Sequence, residues 1–129
     1  MKKVLFITLC VLFALAGCSK EQKSEELPEF VEVVIELPEI IKVNEEVVIE
    51  AHIKQGNEKV EDAQKVEFEL WKSDQETHEK ILGDHQGDGI YSISKTFLKE
   101  GGYFVIAHVT ARDMHNMPKK EFTVTKIAE

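Results

Sequence analysis

The sequence predicts an all-β fold, an antiparallel β-sandwich of about seven short strands, on three observations. Beyond residue 30, apolar residues recur with a period of two rather than 3.6. Glycine-rich turn signals separate the apolar runs at strand-length spacing. No segment beyond the leader carries a convincing helical stripe. Antiparallel strands with one face in a core and the other toward water give this alternation.

The elements follow in order. Phe30 to Leu37 reads as a first strand closed by Pro38, which lacks the N–H a ladder needs. Glu46 to Ile53 sets Val47, Ile49, Ala51 and Ile53 against Val48, Glu50 and His52. Val66, Phe68 and Leu70 alternate with Glu67, Glu69 and Trp71. A shorter strand, Glu79 to Gly83, leads into Gln86-Gly87-Asp88-Gly89, a strong hairpin signal. Ile90 to Phe97, a Gly101-Gly102 turn, Tyr103 to Thr110 and a last strand near Glu121 to Ile127 complete the set. Tyr103 after that turn, followed by Val105, Ala107 and Val109, fits the sixth strand of an immunoglobulin-like sandwich, where a tyrosine packs at the corner. Phe104, Ile106, His108 and Thr110 then face outward. Val105 stands where antibody domains carry a disulfide cysteine, so packing alone would hold this sandwich.

Ahead of the sandwich, Lys2 and Lys3 precede an apolar run from Val4 to Ala14 that ends in Leu15-Ala16-Gly17-Cys18. A basic start, a short apolar stretch and small residues before a break describe a secretory leader rather than a spanning helix. Cys18 directly after Leu-Ala-Gly resembles the bacterial lipobox, in which the leader is cut before the cysteine and its thiol is lipidated. Several acyl chains on one residue anchor stably where a single chain is marginal. The expected organisation is a lipoprotein signal peptide over residues 1–17, lipidated Cys18 and a polar tether over 18–29, and the sandwich over 30–129. The protein is then held on the extracytoplasmic face of the cell membrane by its lipid.

Cleavage changes the chemistry available. Cys10 leaves with the leader and Cys18 becomes a thioether, so neither a free thiol nor a disulfide remains in the mature chain. Loss of Lys2 and Lys3 leaves 14 Lys and Arg against 24 Asp and Glu, a net charge of about −10. Such a surface repels nucleic acid and anionic headgroups, and no nucleic-acid partner is expected. Ser and Thr lie in polar alternation with no nucleophile elbow, and there is no Gly-rich phosphate loop before a helix. An enzyme is not expected.

One segment stands apart: Met114-His115-Asn116-Met117-Pro118. The mature chain has five histidines, His52, His78, His85, His108 and His115, and its only two methionines bracket the last of them. Both methionines fall in a polar stretch between strands, where core filling explains them poorly. Imidazole with thioether and no thiolate suits copper, Cu(I) above all through the soft sulfur; zinc more often asks for cysteine or three histidines with an open position. In an immunoglobulin-type layout, His85, His108 and His115 fall toward the same end and can converge. His78 precedes His85 by seven residues, roughly 23 Å if extended, which puts it at the far end unless the segment bends. His52 decorates a sheet face.

The stretch from Val60 to Val124 resembles the YtkA-like (FixH-type) family of bacterial exported domains. The matching features are Glu67-Phe68-Glu69-Leu70-Trp71, His78-Glu79, His85, Asp88-Gly89-Ile90-Tyr91-Ser92 and Gly102-Tyr103-Phe104. They continue through Ala107-His108-Val109-Thr110-Ala111-Arg112 and Met114-His115-Asn116-Met117-Pro118. The resemblance implies an immunoglobulin-like sandwich, typically lipid-anchored, with a role in copper supply or assembly of haem–copper cytochrome c oxidase. It also carries over His78, against the straight-strand estimate. The expected metal ligands are therefore His85, His108, His115, Met117, Met114 and His78. The expected partners are the membrane, through the lipid, and a cytochrome c oxidase subunit or other copper-handling protein. The alternative is an immunoglobulin-like module that docks on a membrane protein without metal, its histidines serving as polar contacts or a pH-sensitive patch.

Overall fold

A computed structural model describes residues 29–126. The leader, Cys18 and the tether up to residue 28, with residues 127–129, lie outside the described residues, as does the end of the expected last strand.

Eleven strands form two sheets, with no helix among the described residues. They are β1 (Val31–Glu36), β2 (Ile41–Lys42), β3 (Glu46–Gln55), β4 (Glu58–Lys59), β5 (Lys65–Lys72) and β6 (Glu79–Leu82). The remainder are β7 (Asp84–Gly87), β8 (Ile90–Thr96), β9 (Gly101–Ala111), β10 (Met114–Asn116) and β11 (Lys119–Thr125). The first sheet runs β1-β3-β8-β7, with β4 paired to β3. The second runs β2-β11-β9-β5-β6, with β10 paired to β9. Only the two-residue β2–β11 pairing is parallel; the rest are antiparallel. This is an immunoglobulin-like β-sandwich in which the chain leaves the first sheet after Leu37-Pro38 and re-enters on the edge of the second as β2.

The alternation read from sequence sets the core. Val47, Ile49, Ala51 and Ile53 on β3 are buried, as are Val66, Phe68 and Leu70 on β5 and Tyr103, Val105, Ala107 and Val109 on β9. Complete burial of a side chain such as Phe68 contributes about 1.5–3 kcal/mol, and these rows interleave between the sheets. A shift of one residue in register would turn each row to water, so the apolar pattern fixes the pairing.

Turns complete the frame. Asp88 and Gly89 both have positive φ, 54° and 71°, and join β7 to β8 as a two-residue hairpin. Gly89 is required there: a Cβ would meet the Ile53 carbonyl oxygen at 2.5 Å. The Tyr103 hydroxyl donates to the Lys99 carbonyl at 2.7 Å, which locks the corner before β9. Phe97 and Phe122 pack on its ring, with centroids 4.8 and 5.6 Å away. Gly101 and Gly102 are not the turn expected from sequence. They open β9, and the chain reverses just before them, over Leu98–Glu100.

The pole opposite that corner carries the short strand β10. Arg112 and Asp113 connect β9 to β10 with φ of 51° and 63°, a left-handed pair without glycine. Such a turn is uncommon for these residues and needs support. Arg112 supplies it by reaching across the pole: its guanidinium donates to Gln55 at 2.8 Å, Glu58 at 2.6 Å and Asp62 at 3.2 Å. The Arg112 guanidinium in turn holds the Glu58 carboxyl below the usual carboxylate range.

Candidate functional site

Period two puts Glu67, Glu69 and Trp71 of β5 on the outer face of the second sheet, beside Phe104, Ile106, His108 and Thr110 of β9. The β5–β9 register sets Glu67 against His108 and Glu69 against Ile106, so Glu69 lies diagonally across from His108. The His108 Nε2 lies 2.7 Å from Glu69 Oε1. The other carboxylate oxygen, Oε2, lies 2.5 Å from Nδ1 of His78, which immediately precedes β6. One carboxylate therefore holds two imidazoles. Hydrogen bonds from His78 and then His108 keep the Glu69 carboxyl below its ordinary value. Glu69 is largely shielded, its side chain 15% exposed, while the rings it holds are more open.

His115 joins from β10. Its backbone partner is Thr110 on β9, two residues along the same face from His108. The His115 Nδ1 lies 2.9 Å from Thr110 Oγ1, and the His108 and His115 ring centroids are 6.2 Å apart. Met117 follows on the same alternation. The pairs Asn116↔Val109 and Lys119↔Ile106, with the Ala107 N–H donating to the Pro118 carbonyl, bracket Met117 opposite His108. Its side chain is half exposed.

Beside His78 lies an aromatic shelf. The His78 ring stacks on Trp71 with centroids 4.1 Å apart and planes 5° from parallel. Trp71 contacts Phe104, over which the Lys119 ammonium sits at 4.3 Å.

Two sequence-predicted ligands lie elsewhere. Met114 alternates with His115, so it turns to the other side of β10. Its sulfur accepts the Val31 N–H at 3.4 Å, and its side chain packs on the core edge. Core packing, which the sequence reading disfavoured, therefore accounts for Met114. His85 sits on β7, in the first sheet. Its ring stacks on Tyr91 at 4.5 Å, and Nε2 lies 2.7 Å from Glu61 Oε2. The other Glu61 oxygen accepts the Gly89 N–H. His85 therefore stands on the opposite sheet from His108 and His115, and the convergence of these three histidines expected from sequence is not what the fold brings together. Cys18 lies outside the described residues.

Among the described residues, no three His, Cys, Asp or Glu side chains already stand in metal-holding geometry. The donor set nevertheless fits a soft, imidazole-binding ion. With metal–nitrogen bonds of about 2 Å plus about 1 Å to each ring centre, two rings on one ion sit up to roughly 6 Å apart. The His108–His115 spacing is at that limit. Each of the three rings is held through one nitrogen, by Glu69 or Thr110, and makes no second hydrogen bond among the described residues. A ligand imidazole oriented by a carboxylate on its other nitrogen is the usual metal-site arrangement. Glu69 was missed as a functional residue, because the acids of this sequence entered the reading only as strand alternation, motif letters and net charge. The available signal was its outward place on β5; its position beside His108 came only with the β5–β9 register.

The YtkA-like family profile matches residues 25–108, about two thirds of the chain. The chain belongs to the YtkA-like family. The matched span of this YtkA-like chain ends at His108, so β10 with His115 and Met117 lies beyond it. No curated protein matches the sequence. Among solved structures, the chain is similar to the PKD domain of the human VPS10 domain-containing receptor SorCS2. The identity is 14%, covering 88% of this chain and 91% of that one, with a TM-score of 0.49. It is also similar to a CARDB domain from Pyrococcus furiosus solved in complex with di-metal ions. Here the identity is 16%, covering 79% and 96%, with a TM-score of 0.44.

Proposed function

We propose that this YtkA-like domain is a non-enzymatic copper-binding lipoprotein, anchored through Cys18 on the outer face of the membrane, that receives or passes copper there. The reading extends to copper delivery for, or assembly of, a haem–copper cytochrome c oxidase. One observation carries it: Glu69 holds His78 and His108 on an open sheet face beside His115, with Met117 across the strand from His108. His78, His108 and His115 would supply imidazole nitrogens, and Met117 a thioether that favours Cu(I). Transfer needs ligands that exchange one at a time, and an exposed face with two rings on loop-proximal segments provides that.

Copper titration of the tagless mature domain tests the reading. Stoichiometric binding is expected, and Met117→Leu should weaken Cu(I) by a larger factor than Cu(II), because it removes sulfur at nearly constant size. A parent domain that binds no copper would overturn the proposal. The same face would then be read through its aromatic shelf, Trp71 and Phe104 with Lys119, as a docking surface for a membrane protein. Anchoring is tested separately: Cys18→Ala should release the protein from membranes or leave it uncleaved with its leader.

A further inference from the structure

Resting on the lipoprotein and copper reading above, we infer that the β10 pole, where the row of histidines ends in His115, is the membrane-proximal pole, and that copper leaves by that end of the row to a membrane-embedded protein. The described chain begins at the same pole as β10. Val31, the first residue of β1, is bonded to β10 through both backbone groups: its N–H donates to Met114 Sδ at 3.4 Å, and its carbonyl accepts from Asn116 Nδ2 at 2.5 Å. Between those two residues, on the other side of the same three-residue strand, is His115. The tether is thus rooted one strand-thickness from a candidate ligand.

That placement sets a reach. Eleven residue steps separate Cys18 from Glu29, at most about 40 Å of chain at about 3.6 Å per residue. However the domain tilts, His115 stays within about that distance of the lipid plus the short step across β10. The opposite pole, at the Leu98–Glu100 turn, lies an eleven-residue strand away, about 36 Å further at 3.3 Å per residue. A root at that far pole would have let His115 swing about 36 Å further from the bilayer; the observed root limits it to the tether's own reach. The bilayer itself is a poor occupant, because a mature charge of about −10 is repelled by anionic headgroups. A membrane-embedded protein whose outer surface is not anionic suits both the height and the net charge of about −10.

The test uses the lipidated protein in phosphatidylcholine vesicles. The lipidated chain carries no free thiol, so Asn57→Cys at the root pole and Glu100→Cys at the far pole each take one fluorophore; both positions are exposed. Energy transfer to rhodamine headgroups should be several-fold more efficient from position 57 than from position 100. Equal or reversed efficiencies would overturn the orientation. In a second arm, Cu(I) loaded on the domain should pass to a bicinchoninate-headgroup lipid at least about tenfold faster when the anchor is at Cys18 than when Cys18→Ser is combined with lipid coupled at Glu100→Cys. Equal rates would overturn the inference that the root places the site. Copper titration of the same unlipidated chains keeps the two readings apart, since loss of binding there removes the copper reading while the energy-transfer result still decides the orientation.

Discussion

Two histidine–carboxylate pairs in this domain look alike in sequence and differ in what they leave available. At Glu69, both carboxylate oxygens go to imidazoles, His78 and His108, and the rings are held on an open face near a third histidine. At Glu61, one oxygen goes to His85 and the other to the Gly89 backbone N–H, while the His85 ring lies against Tyr91. Tyr91 itself donates to the Val60 carbonyl. The first arrangement orients ligands. The second clamps the β7–β8 hairpin onto the loop before β5. A histidine beside a carboxylate is therefore informative only once the carboxylate's second oxygen is accounted for.

The largest contrast lies in copper affinity. If the Glu69 cluster is the site, His108→Ala should weaken binding by more than roughly 100-fold, because even a partner that only orients a ligand is worth about 10–100-fold. His85→Ala should leave affinity within about twofold. Isothermal titration of both variants at pH 7 decides it. Equal losses would merge the two clusters into one site and erase the distinction.

Glu69→Gln sharpens the comparison at the next level down. Glutamine keeps the size but supplies only one oxygen and no charge, so two rings cannot both be held as they are. Copper affinity should fall by about 10–100-fold, whereas Glu61→Gln should leave it unchanged. The fold should persist in both, with an unaltered β-type circular dichroism spectrum. If Glu69→Gln binds copper like the parent, the carboxylate only decorates the face.

How much of this was legible in sequence follows from the same contrast. The buried rows of β3, β5 and β9 and the Tyr103 corner were readable because each follows from alternation or a local turn. The pairing of Glu69 with His108 was not, since it depends on how β5 and β9 align, thirty-nine residues apart. The straight-strand estimate separated His78 from His85, and these two do fall on different sheets: the chain crosses from β6 to β7 between them. His78 instead shares the Glu69 carboxylate with His108 across β5, an arrangement no spacing within one segment reveals. β10 was read as loop because three residues are too few to show a period, so the opposite facing of Met114 and His115 was hidden.

The hairpin clamp makes its own prediction, smaller and in stability alone. Gly89→Ala would place a methyl 2.5 Å from the Ile53 carbonyl oxygen, at a positive φ that alanine adopts poorly. The cost should exceed about 1 kcal/mol in chemical denaturation. Copper affinity, measured where the variant is fully folded, should not move, because the clamp and the Glu69 face are on different sheets. A loss of affinity in the folded variant would show that the two regions are coupled after all.

The smallest effect is a pH dependence that belongs to Glu69. Hydrogen bonds from His78 and His108 set its folded value below the ordinary 4.5. A carboxylate depressed in this way contributes its full stability above the ordinary range and loses it as pH falls through the lower folded value. At pH 5 the parent should therefore be slightly more stable than Glu69→Gln, by under about 1 kcal/mol for a partly solvated pair. That gap should close as pH is lowered well below the ordinary carboxylate range, where protonation gives the parent a neutral side chain too. Thermal midpoints of the two proteins across this window measure it. A gap that stays constant down to the acid limit would mean that Glu69 meets the two rings as a neutral group, and that its place between them owes nothing to charge.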